Sequence, residues 1–312
     1  MNWSAASSED ARGELSCAIA AQLGRAREAL ESGTDLASSV HEVRRAIKRT
    51  RALLKLADPW PKDSHTDCTL RDASRALAVL RDADIVVLTA EDIRADSGSA
   101  EPNLVPLHLL ESLEEVRRRR FAESGSAHGP LRVADELLRS LAVEIPEPRA
   151  SQLMAGHEQM ASGGMELLRL GLGASYESVR ARSDPAAGEG PVDERSHKLR
   201  KRVKDLRYQL EFLDTDHPKL TRLVRNLHHL TDLLGDRNDL VTLSAYTTSA
   251  DVLCESEQTS LTAHVKEMKS VLQSEATALS ARLFEEEPDS FVRRIEAWLT
   301  RPQGPPQGPP QG

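Results

Sequence analysis

Aromatic side chains are nearly missing: four Phe, three Trp and three Tyr make up 3% of 312 residues. Sheets cover their faces with β-branched and aromatic residues, so this scarcity, beside abundant Ala, Leu, Arg and Glu, argues against strands and for packed helices. Cysteine is rarer still. Cys17, Cys68 and Cys254 are odd in number, far apart and without a C-x-x-C spacing, which leaves neither a disulfide framework nor a zinc site. They read as small buried hydrophobes. No apolar run approaches the roughly 18–20 residues of a membrane span, and residues 1–10 carry Ser and acids in place of a leader. A soluble, cytoplasmic chain without a membrane partner is expected. P-loop, Rossmann, G-x-S-x-G and paired-Asp metal signatures are also missing, so no catalytic residue, cofactor or metal ligand set is assigned.

The length suits one large folding unit or two smaller ones. Helical periodicity recurs along the chain, interrupted at Asp58-Pro59-Trp60-Pro61, Asp96-Ser97-Gly98, residues 125–130, Ile145-Pro146-Glu147-Pro148, residues 183–191 and His217-Pro218. The fold class is all-α. Pro146 and Pro148 mark the division, because close prolines end a helix and the residue before each resists one. This gives a first helical half over 8–145 and a second over 149–299. Residues 300–312, with the sequence PQGPPQGPPQG, have nothing to bury and read as a disordered Pro/Gly/Gln tail.

The net charge of −8 would by itself argue against a ligand rich in phosphate. Its distribution argues otherwise. Residues 41–55 carry +5 and residues 195–207 carry +6, leaving −19 for the rest. Two short basic segments in an acidic chain are the pattern of a focused anion site.

These segments are copies. His41-Glu42-Val43-Arg44-Arg45-Ala46-Ile47-Lys48-Arg49-Thr50-Arg51 and His197-Lys198-Leu199-Arg200-Lys201-Arg202-Val203-Lys204-Asp205-Leu206-Arg207 both read H-x-x-R-[RK]-x-[IV]-K-x-x-R, at a constant offset of 156 residues. The register continues downstream, where Arg81-Asp82 stands opposite Arg237-Asn238. At roughly 100° per residue, His41, Arg44, Lys48, Arg51 and Lys55 share an arc of about 80° beside Val40, Val43, Ile47 and Leu54. In the second copy His197, Arg200, Lys201, Lys204 and Arg207 lie opposite Leu199, Val203, Leu206 and Leu210. Like charges at i, i+3 and i+4 repel, so such stripes call for an external anion.

A single basic stripe is more often a solvated helix face. These two are almost free of acids and match position by position, which favours a ligand. Each histidine reads equally as a structural residue or as an anion contact whose pKa phosphate would raise. Mixed Arg and Lys suits phosphate, since guanidinium forks bridge oxygens and lysines act as mobile point charges. A row repeating every ~5.4 Å fits a chain of anionic groups better than one small ligand.

The paired segments, with Leu80-Arg81-Asp82-Ala83-Asp84 and Leu234-Gly235-Asp236-Arg237-Asn238-Asp239 downstream, resemble the CHAD family, over about residues 8–299. The resemblance implies two pseudo-symmetric four-helix bundles in one compact unit. Basic residues of both halves would line a central groove or pore that binds inorganic polyphosphate, and family members can associate with polyphosphate granules. The binding set it implies is His41, Arg44, Arg45, Lys48, Arg51, His197, Arg200, Lys201, Lys204 and Arg207, to which the helix reading adds Lys55. Arg81 and Arg237 support it, or else pair with acids inside the molecule. Tyr208 adjoins the set or belongs to the core. The first copy lacks the counterpart of Gly235, and no E-x-E-x-K strand accompanies the helices.

Other signals are weaker. Arg117 to Arg120 suit a helix C-terminus, where cations complement the dipole, better than a second phosphate patch. His228-His229 point to different helix faces and do not make an i, i+4 metal pair. A phosphohydrolase or phosphotransferase would need carboxylates for magnesium, which the stripes hardly supply. RNA binding is opposed by the missing aromatic platforms and by the net charge. Non-catalytic polyphosphate binding remains the leading expectation.

Overall fold

The computed structural model describes residues 8–32, 35–57, 65–96, 104–126, 128–144, 164–184, 190–213 and 217–300. The Pro146/Pro148 division and the tail past Thr300 lie outside them. Among the described residues every regular element is a helix: α1 (Ser8–Ser32), α2 (Leu36–Ala57), α3 (His65–Ala76), α4 (Ala78–Asp96), α5 (Leu107–Glu123), α6 (Pro130–Glu144), α7 (Gly164–Ser183), α8 (Val192–Phe212), α9 (Pro218–Ser249), α10 (Glu255–Leu283) and α11 (Pro288–Thr300). The all-α class is borne out. No helix is long and apolar enough to cross a membrane.

Local chemistry sets the boundaries. Asp35 caps α2, its carboxylate accepting from the backbone N–H of Ala37 at 3.2 Å and Ser38 at 3.3 Å. Proline opens α6, α9 and α11, where its missing N–H has no helical partner to lose. At Cys254 the backbone N–H donates to Glu257 in a capping box at the head of α10. That cap corrects the reading of the cysteines: Cys17 and Cys254 are exposed and Cys68 is half-buried. Cys17 lies between buried Leu15 and Ile19 on α1 but faces outward.

The 156-residue offset between His41 and His197 also relates the first residues of α1 and α7, and of α2 and α8. Its clearest departure is at Leu77, where a turn separates α3 from α4, while the matching Leu233 lies inside the unbroken 32-residue α9. At 1.5 Å per residue α9 is about 48 Å long. It spans two hydrophobic clusters. One joins α1, α2, α3, α6, α7, α8 and α11 with the first half of α9, Leu80 of α4 and Ala276 of α10, through residues such as Leu15, Ile47, Leu70, Tyr176, Leu206 and Leu227. The other gathers α4, α5, α9 and α10 around Val87, Leu109, Leu243 and Leu261. Both clusters take residues from before and after the proline division, so the two halves share their cores.

The basic segments are brought together by the crossing of α2 and α8. Val40, Val43, Ile47, Leu199, Val203 and Leu206 are all buried, which turns the opposite faces of both helices toward α4 and α9. Gln209, fully buried, donates from Nε2 to the Ala52 carbonyl at 3.0 Å and fixes the crossing.

Candidate functional site

At this junction like charges from different helices face each other. The Lys48 ammonium is pushed down to about 6, by burial first and then by Lys204, Arg44, Arg200 and Arg81. Lys204 is pushed down to about 7, again by burial first and then by Arg200 and Arg207. Arg44 and Arg81 are also lowered by burial, each with Arg200 among the opposing charges. Arg44, Lys48, Arg81, Arg200 and Lys204 therefore form one cationic cluster drawn from α2, α4 and α8. Among the described residues, Lys48 and Lys204 make no hydrogen bond or ion pair.

Two neighbouring arrangements hold the arginines. Nη1 of Arg44 donates to the carbonyl of Ser74, in the last turn before the break at Leu77. Arg200 lies over Gly235 of α9, whose missing Cβ would meet Nη2 at 3.0 Å. Both guanidiniums keep a buried Nε without a partner.

His41 and His197 flank the cluster. Burial, followed by Arg81, Arg45 and Lys48, lowers the His41 pKa. Burial and then Lys201 lower that of His197, whose Nδ1 meets Asn238 Oδ1 at 2.8 Å. An Nδ1–H donor in this contact leaves Nε2 for another partner. Arg207 is buried beside the Tyr208 ring at 4.7 Å, donates to Nδ1 of His228 and pairs with Glu211 at 3.3 Å.

The other expected residues point elsewhere. Arg51 forms a fork with Asp67 of α3, at 2.7 and 3.2 Å. Lys55 pairs with Asp205 of α8 at 2.6 Å. Arg237, with a side chain only 5% exposed, pairs with Asp193 at 2.6 Å, and Asp193 is shared with Lys269 at 2.9 Å. Arg45 is exposed and lies 3.6 Å from Glu42. Lys201 is exposed, its pKa lowered by partial burial and then by Arg51 and Arg202. Arg81 is intermediate: it reaches Asp84 at 3.4 Å while sharing the field of Arg200. Tyr208 is buried, as a core residue would be.

Three carboxylates edge the cluster that the stripe pattern did not single out. Asp82 is raised by partial burial and by Asp239, against the lowering influence of Arg44 and Arg81. Asp236 is raised by burial and then by Asp239 and Asp232. These acids come from α4 and α9 rather than from the basic helices. Their position next to Arg81 and Arg237 was the available signal. Among the described residues, no three His, Cys, Asp or Glu side chains are placed to hold a metal ion together.

The family model for the CHAD domain matches residues 17–248, which includes both basic helices and α9. The chain belongs to the CHAD family. Among solved structures, the crystal structure of the CHAD domain from the plant Ricinus communis is similar, with a TM-score of 0.57 and 18% identity over 94% of this chain and 92% of that one. At that identity the similarity establishes a shared CHAD fold. No curated protein matches the sequence.

Proposed function

We propose that this CHAD protein binds inorganic polyphosphate without catalysis, in a groove whose walls are the basic faces of α2 and α8. The reading rests on one observation above all: Lys48 and Lys204, equivalent positions of the two repeated segments, face a common cationic cluster while half-buried and, among the described residues, unpaired. Folding gains nothing from collecting such charges, and desolvating an ammonium without a counterion is unfavourable. A bound polyanion supplies the missing counterions. The two helical halves, 8–145 and 149–299, would then be pseudo-symmetric units, each a four-helix bundle in origin, and the ligand would lie across their pseudo-two-fold axis.

Within the basic set the roles divide. Arg44, Lys48, Arg81, Arg200 and Lys204 form the floor, with His41, His197, Arg45, Lys201 and Arg207 along its margins. Arg51, Lys55 and Arg237 are neutralised by Asp67, Asp205 and Asp193 and serve as struts. Asp82, Asp236 and Asp239 place negative charge beside the groove, which disfavours bulky or loosely held anions. This reading places the protein in the cytoplasm, on polyphosphate granules where these form.

Calorimetric titration with polyphosphate of defined length tests the reading. Wild type is expected to bind far more tightly than it binds orthophosphate, and Lys48→Ala/Lys204→Ala to lose most of that affinity. Competition at fixed salt should show polyphosphate displacing RNA. Wild-type binding no tighter than orthophosphate would sink the assignment.

A further inference from the structure

The second repeat carries a ladder of contacts that the first lacks. Along the pairing of α8 with α9, Asp193 holds Arg237 at 2.6 Å, His197 Nδ1 meets Asn238 Oδ1 at 2.8 Å, and Arg200 lies over Gly235. Asp193 also accepts from Lys269 of α10 at 2.9 Å, which ties the first turn of α8 to two neighbours. Subtracting the 156-residue offset puts Ala37 in place of Asp193, Val79 in place of Gly235 and Asp82 in place of Asn238. Every rung has therefore lost one partner in the first copy, and its arginines go elsewhere. Arg81 turns to Asp84 at 3.4 Å and Arg44 to the Ser74 carbonyl. Among the described residues, the side chains of His41 and Asp82 make no hydrogen bond or ion pair, with each other or with any neighbour.

Asn238 is the informative rung. Its Oδ1 can only accept, so the proton of the contact sits on Nδ1 and Nε2 is left for another partner. The half-buried ring stands one turn before Arg200, where Lys201 and Arg200 of α8 and Lys48 of α2 face it, and Nε2 makes no hydrogen bond among the described residues. A phosphoryl oxygen at Nε2 is met by the imidazolium, with Nδ1–H on the amide, Nε2–H on the ligand and the added proton taken from solvent. A carboxylate in place of the amide would accept the same bond, but it would neutralise the imidazolium from within and add negative charge facing a polyanion. The neutral amide fixes the ring and leaves its charge for the ligand. We infer that Asn238 is a positioning residue of the polyanion site: it holds His197 by Nδ1 so that Nε2 faces the ligand, which makes His197 the anchored histidine and His41 the loose one. This inference rests on the polyanion reading of the site. A ring already held loses less freedom when the ligand binds, so the two walls of the groove contribute unequally although their basic residues match.

Calorimetric titration of the full chain with long-chain polyphosphate, at fixed salt, tests it in a double-mutant cycle over Asn238→Ala and His197→Gln. Alanine suits the interior of α9, so the Asn238 variant keeps its helix, which circular dichroism checks. Asn238→Ala is expected to weaken binding by about three- to tenfold, the loss from releasing one ordered side chain. In the His197→Gln background the same substitution should change affinity by less than about twofold. His41→Gln should weaken binding less than His197→Gln does. Nitrogen-15 spectra of the imidazoles at pH 8, where the rings are neutral, read the geometry directly, with the His197 signals assigned by their loss in His197→Gln. Wild type should show the Nδ1–H tautomer at His197, and Asn238→Ala should lose it. A purely structural role would lower the stability of Asn238→Ala and leave affinity in place. Unchanged affinity in Asn238→Ala, equal losses with and without His197, a His41→Gln loss as large as that of His197→Gln, or an Nε2–H tautomer in wild type would each overturn the inference and leave the polyanion reading intact. Wild-type binding no tighter than that of orthophosphate would overturn both.

Discussion

Among the described residues, Lys48 sits beside Arg44, Arg81, Arg200 and Lys204 with no carboxylate paired to it, and the fold bears the cost of that arrangement. Replacing a half-buried, uncompensated charge by an apolar side chain of similar length should relieve it. Lys48→Met is expected to stabilise the free protein by about 1–2 kcal/mol while weakening polyphosphate binding; thermal melts with and without ligand check both. A pH dependence follows from the same residues. Their folded pKa values lie below the ordinary lysine value of 10.5, so between about pH 6 and 10.5 the unfolded chain holds more protons. Stability contributed by these groups therefore climbs as pH rises through that window and is lowest at its acid end. Denaturation midpoints recorded from pH 6 to 9 should show this slope, flattened in Lys48→Met. Gly235 acts on Arg200 of the cluster. Gly235→Ala restores helix propensity worth up to about 1 kcal/mol but places a Cβ 3.0 Å from Arg200 Nη2. Stability unchanged or higher, with weaker binding, is the expected outcome.

Between elements, the crossing of α2 and α8 decides which cations of a stripe remain available. The helical wheel puts Arg51 and Lys55 on the same arc as Arg44 and Lys48, and that stripe was legible in the sequence. Its neutralisation was not, because Asp67 arrives from α3 and Asp205 from 150 residues downstream. Asp193, the partner of Arg237, likewise lies 44 residues upstream. The alternative that Arg237 pairs internally was open from the sequence, and the structure fills it. The turn at Leu77 was hidden for a different reason: Ala76-Leu77-Ala78 contains no Gly or Pro to announce a break. That turn matters, since the Ser74 carbonyl beside it holds Arg44. The division of roles is testable. Asp205→Asn should destabilise by about 1–3 kcal/mol, because Lys55 and Arg202 lose a partly buried counterion. Chemical denaturation reads that loss. Polyphosphate affinity should change by less than about threefold, whereas a Lys204→Ala variant shows the converse, with affinity lost and stability kept.

For the whole molecule, the all-α class was legible because it follows from composition and periodicity, while the CHAD fold was legible only through the resemblance of the paired segments to that family. What they left open was how the halves meet. Both hydrophobic clusters mix helices from either side of the proline division, and α9 runs through both. The basic faces consequently meet at a junction instead of lying on separate surfaces. The central claim is that they make one composite site, and a double-mutant cycle on charge reversals tests it most directly. Polyphosphate affinity is measured for wild type, Lys48→Glu, Lys204→Glu and the double variant, with folding checked by circular dichroism. One composite site predicts that either reversal removes most of the affinity and that the second adds little. Two independent sites would leave a full-affinity site in each single variant and none in the double, and that result would contradict the account.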